Sequence, residues 1–98
     1  MKARLIPEAG QDVNEAIAWY DQKSDILGDE FLRSVTKCIQ SIERYPEMYQ
    51  KVYRRMRRAL IETFPYQVLY EIDPQEIVVY AVYHCARNPK GWKKRLRA

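Results

Sequence analysis

Near residue 56 the apolar pattern of this chain changes period, and that change constrains its fold more than any other feature. Before it, apolar residues recur every three or four positions, as along one face of a helix. After it they alternate or run together, as in strands. The simplest packing for that order lays helices on one face of an antiparallel sheet.

The stripes can be followed residue by residue. Ala3 to Ile6 predicts a short first strand, and Pro7 then opens a helix, in whose first turn a missing N–H costs nothing. Glu8 and Asp12 suit the dipole at that helix start, and Ala9, Val13, Ala16, Ile17 and Tyr20 form its apolar face, with Trp19 at the edge. Gly28 is a poor helix residue and predicts a turn nearby. A second helix follows to about Tyr45, with Phe31, Val35, Cys38, Ile39 and Ile42 inward and Pro46 as its stop. The two helices make an antiparallel hairpin. After a polar loop, the pattern predicts strands over 57–64, 66–72 and 77–83, with Pro65 between the first two. The expected order is β-α-α-β-β-β: an α+β fold in which an antiparallel sheet carries a helical hairpin on one face and leaves the other partly open. Phe31, Val35, Ile39, Val68, Tyr70 and Val79 are its expected core.

A length of 98 residues suits one domain, expected over 1–98, and a shallow surface site more than a deep cavity. Hydrophobic residues make up 47% and charged residues 31%, which is globular composition. No apolar run approaches the roughly 18 residues of a membrane span. The opening Met1-Lys2-Ala3-Arg4-Leu5-Ile6-Pro7 lacks the apolar stretch of a signal peptide, so a cytoplasmic location is expected, with no membrane partner. Cys38 and Cys85 are too few for a disulfide framework and lack metal-ligand spacing, so no metal and no cofactor are expected.

Charge is divided unevenly. Residues 1–50 carry a net of −3 and residues 51–98 a net of +7, an asymmetry that points to an anionic partner. The densest cluster is Arg54-Arg55-Met56-Arg57-Arg58, which suits forked binding of phosphate or carboxylate, or pairing with the acidic half of the same chain. The last strand runs out into His84-Cys85-Ala86-Arg87-Asn88-Pro89-Lys90-Gly91-Trp92-Lys93-Lys94-Arg95. His84 is the only histidine; at a strand end it is either structural or, with Arg87, part of a phosphate-handling pair. Trp92 among lysines can stack on a base, anchor a protein interface or close the core.

Taken in order, these marks resemble the RelE/ParE family of bacterial type II toxins. They are Pro7, Ala9, Ala16, Trp19-Tyr20, Leu27-Gly28 and Phe31, then Arg57-Arg58-Ala59, Phe64-Pro65-Tyr66, Val68-x-Tyr70, Ile77-Val78-Val79 and His84-x-x-Arg87-x-Pro89-x-x-Trp92. The C-terminal segments look closest to the ParE-like, plasmid-stabilisation branch. The resemblance implies a growth-inhibiting toxin bound in a hetero-oligomer with a cognate antitoxin that wraps a segment over its surface. It implies one of two targets: DNA gyrase, bound and poisoned by ParE-like members, or mRNA in the ribosomal A site, cut by RelE-like members.

Carried over position by position, the nuclease set is incomplete. Arg87 matches a basic residue near the end of the last strand, and Arg58 matches one on the second. Leu60 and Gln67 stand where ribosome-dependent members carry further cations, and the Trp92-Lys93 neighbourhood replaces a C-terminal tyrosine. Cleavage by the 2′-hydroxyl needs proton transfer and stabilisation of charge on phosphate. The expectation is therefore a gyrase inhibitor that uses Arg57, Arg58, Arg87 and Trp92 to contact its target. For the alternative ribosome-dependent endoribonuclease, the candidate catalytic residues are His84, Arg87 and Arg58.

Overall fold

The computed structural model describes residues 1–96. The last two positions of the expected 1–98 unit, Arg97 and Ala98, lie outside the described residues. Strand β1 (Ala3–Leu5) leads into helix α1 (Pro7–Asp21) and helix α2 (Leu27–Arg44). Strands β2 (Lys51–Tyr53), β3 (Met56–Leu60), β4 (Tyr66–Ile72) and β5 (Ile77–His84) follow, then a helical turn α3 (Lys90–Lys93) and a 3-10 turn at Lys94–Leu96. Among the described residues, no helix is long and apolar enough to cross a membrane.

The sheet order is β1-β5-β4-β3-β2. From β2 to β5 the strands form the expected antiparallel meander, but β1 pairs parallel to β5, with Ala3 opposite Ile77 and Leu5 opposite Val79. The sheet is therefore mixed. Such a parallel pair needs a long crossover, and here the helical hairpin and three strands supply it. Ile6 N–H donating to Val79 O at 3.0 Å and Ile77 N–H donating to Lys2 O at 2.9 Å extend the pairing at both ends.

The hairpin packs on one face. Ala9, Val13 and Ala16 of α1 and Phe31, Val35, Cys38 and Ile42 of α2 bury against Ala59, Val68, Tyr70, Val79 and Val82 of the sheet. Ile39 lies half-buried at the rim of that core. Tyr20, Phe31, Phe64 and Tyr66 form an aromatic cluster with ring centroids 4.9 to 6.2 Å apart.

Two local expectations gain detail and two change. The chain reverses at 22–26, and Gly28 lies inside the first turn of α2. Its glycine is required by close approach of the helices, because a Cβ there would sit 2.0 Å from Asp21 Oδ1. The strand expected over 57–64 ends at Leu60; Ile61 and Phe64 turn into the core, and Thr63 takes φ 75. The loop after α2 contains the short strand β2, whose three residues are too few to display a period. Finally, the face opposite the helices is covered in part. The C-terminal turns fold back so that Trp92 and Leu96 pack on Met56, Leu69, Ala81 and Tyr83, a second and smaller core.

Candidate functional site

Alternation along β3 divides the arginine cluster between the faces. Met56 belongs to the second core and Ala59 to the helix-side core, so Arg58 stands on the second face and Arg57 on the helix side. Arg57 is occupied there, its Nη1 donating to Tyr49 O at 2.6 Å and Glu47 O at 3.2 Å, which fastens the loop between α2 and β2. That geometry separates Arg57 from the surface on which it was expected to act with Arg58. Arg54 and Arg55 form the β2–β3 turn, Arg54 at φ 54, and Arg55 Nη2 donates to Ile72 O at 2.9 Å. Among the described residues, none of these four arginines pairs with a carboxylate; the ion pairs there are Arg4–Glu76, Lys37–Glu62 and Arg95–Asp12.

On the second face Arg58, Gln67, Cys85, Arg87 and Lys93 surround a cleft of about 250 Å³, with Trp92 also lining it. Two of its cations are held by aromatic rings. The Arg87 guanidinium lies 4.1 Å from the Tyr83 ring centroid, and Lys93 Nζ lies 4.4 Å from that of Tyr53. Such contacts fix a long side chain while leaving its charge unneutralised. Gln67 pairs with Leu60 on one side and Tyr83 on the other, is only 8% exposed, and its amide makes no hydrogen bond among the described residues. Among the described residues, no carboxylate or imidazole lines the cleft.

His84 lies across the sheet from Arg58. It pairs with Tyr66 in register, the two rings 5.2 Å apart, and its Nδ1 accepts the Ala86 N–H at 3.0 Å. It opens on another groove, of about 230 Å³, beside Asp12, Glu15, Trp19 and Tyr66. Burial, the larger influence there, raises the Tyr66 phenol above its ordinary pKa. Arg87 borders both depressions, so the structure brings Arg87 near Arg58 on one side and near His84 on the other without uniting all three.

Trp92 departs from the expected contact surface. At 4% exposure it anchors the second core, packs edge-on against Tyr53 with ring centroids 5.9 Å apart, and leaves its Nε1 without a partner among the described residues. A ring so placed closes the core and cannot offer its faces to a base. Gly91 beside it is fixed by space, because a Cβ would lie 1.9 Å from the Tyr83 hydroxyl oxygen.

One residue that carries much of this geometry escaped sequence reasoning. From the sequence Asp12 suits the helix dipole, yet its side chain is 5% exposed and accepts a forked pair from Arg95 at 2.6 and 3.1 Å. It also accepts the Val82 N–H at 3.0 Å, while Arg95 Nη1 reaches Tyr80 O at 3.0 Å. The hydrogen bond to Asp12 raises the Arg95 guanidinium pKa above its usual value. The signal was present: Asp12 falls within the same stripe as Ala9, Val13 and Ala16, a charge at a buried position. Among the described residues, no group of three His, Cys, Asp or Glu is placed to hold a metal ion.

The fold is thus an α+β domain, a mixed sheet backed by a helical hairpin, with a cationic cleft on the sheet's far face. The sequence profile of the ParE toxin of type II toxin–antitoxin systems, parDE, matches residues 4–89, and the chain belongs to that family. Its fold is similar to a solved chain of the chromosomal ParDE toxin–antitoxin system from P. aeruginosa, at a TM-score of 0.65 and 13% identity, over 86% of this chain and 95% of that one. No curated protein matches it in sequence. This chain is thus a ParE-like toxin of a type II toxin–antitoxin system.

Proposed function

We propose that this toxin inhibits DNA gyrase by binding it, without catalysing a reaction, and that a cognate antitoxin neutralises it. The observation that carries the reading is the separation of His84 from Arg58 by the sheet. A nuclease that attacks through the 2′-hydroxyl needs a proton acceptor and cations converging on one phosphate. Here the cations gather in the second-face cleft, while the imidazole faces the helix side beside Asp12 and Glu15. A binding surface needs only that cations be placed, and Arg58 and Arg87 meet that requirement. Arg57 and Trp92 contribute indirectly, by fixing the loop after α2 and the floor under the cleft.

His84→Gln separates the two readings, because Gln keeps a polar side chain but is no base near neutral pH. The expected result is that wild type and His84→Gln inhibit gyrase supercoiling equally and leave cellular mRNA uncut on 5′-end mapping. Codon-phased cuts that disappear in His84→Gln would overturn the proposal and make the protein a ribosome-dependent endoribonuclease.

A further inference from the structure

We infer that Arg58, Arg87, Lys93 and the Gln67 amide form a phosphate-binding site, and that its occupant is the backbone of the duplex DNA on which gyrase acts. The occupant's setting rests on the gyrase reading; the anion chemistry stands on the cleft itself. Three cations face a volume of about 250 Å³ with no carboxylate among the described residues that line it. None of the three is in an ion pair among the described residues, although Arg95, two positions beyond Lys93, pairs fully with Asp12. Gln67, a residue 8% exposed, brings to the same cleft an amide that makes no hydrogen bond among the described residues. Cations in no ion pair among the described residues, two of them held in place by Tyr83 and Tyr53, and joined by a neutral donor are the components of an anion site.

The arrangement favours a polyanion over a single acidic side chain. Arg54 lies 5.1 Å from the centroid of the Tyr53 ring that Lys93 also covers, so the row of cations continues past the cleft. One carboxylate would neutralise one of these charges. Duplex DNA presents a charge about every 1.7 Å along its axis and can meet several at once. Single-stranded nucleic acid fits less well, since it is held by bases stacking on free aromatic faces. Trp92 is buried, and Tyr53 is already covered by Arg54 and Lys93. What remains is contact with phosphate, which positions a duplex without reading its bases.

Binding of a fluorescently labelled 20-base-pair duplex by the purified toxin, titrated at several salt concentrations, tests this. Each phosphate neutralised contributes about 0.9 to the slope of log K against log salt. Arg58→Gln/Arg87→Gln should reduce that slope by about 2, and Lys37→Gln on α2 should leave it unchanged. If the double variant fails to melt cooperatively, Arg58→Gln/Lys93→Gln takes its place. An unaltered slope overturns the site. Stronger binding of a single strand of equal length, or of polyglutamate with the same dependence on Arg58 and Arg87, overturns the duplex assignment. Supercoiling inhibition measured in parallel keeps the two claims apart. Inhibition by wild type with an unaltered slope rejects the phosphate site and leaves the gyrase reading standing. A reduced slope without inhibition supports the site and removes gyrase as what presents the DNA.

Discussion

At the scale of single residues, two buried polar groups carry measurable consequences. Asp12→Ala would leave Arg95 largely buried with its charge unmatched and the Val82 N–H without an acceptor. Breaking a pair of this kind from one side costs about 3–5 kcal/mol. Urea denaturation should show a loss of that order for Asp12→Ala, and a smaller loss when Arg95→Met accompanies it; simple addition of the two single effects would show that they do not act as a pair. Tyr70 gives the pH dependence. Burial pushes its phenol from 10.0 up to about 12, and its hydroxyl donates to Pro46 O at 2.5 Å. A folded-state pKa above the unfolded one means the native chain holds the proton more tightly. The associated stability is complete below pH 10 and is lost as pH climbs through about 12. Urea midpoints should therefore fall across that alkaline window, and less steeply in Tyr70→Phe.

At the scale of elements, the C-terminal turns matter more than their seven residues suggest. Trp92→Ala would empty the centre of the second core, and aromatic-to-alanine changes at buried sites cost about 3–5 kcal/mol. The same change should loosen Lys93 and weaken target inhibition, so a variant with normal stability would show that the segment is not a structural support. Strand β4 was legible to the residue, because Tyr66 to Ile72 alternates over seven positions. Strand β2 was not, since three residues carry no period. Gly28 pointed to the reversal beside it but not to its own role, because glycine signals both chain reversal and close approach, and only the neighbouring helix distinguishes them. The cleft was half legible. Arg58, Gln67 and Arg87 were all singled out, but whether Trp92 faces solvent or core depends on where the chain travels after His84, and no local pattern determines that.

At the scale of the whole molecule, the division of charge bears on how the partners meet. The half with a net of +7 supplies the cations of the second-face cleft. If an acidic antitoxin segment is steered by that face, its association rate should fall as salt rises, with dissociation changing less, because apolar anchors hold the complex. Stopped-flow mixing at several ionic strengths measures this, and a salt-independent association rate would remove steering from the account. The core has an equally direct check: Val79 is fully buried between β1 and β4, and Val79→Asp should abolish the cooperative melt. The pairing of Ala3 with Ile77, and the grip of Asp12 on Arg95 83 positions later, also govern timing. Contacts so distant along the chain close late and slow folding. During translation the helical hairpin is available early, but the sheet has no final edge until β5 has been synthesised, and the clasp on α1 closes only when Arg95 arrives. A nascent chain halted before Ile77 should thus remain protease-sensitive, and the finished surface would come into being only once Arg95 has been made.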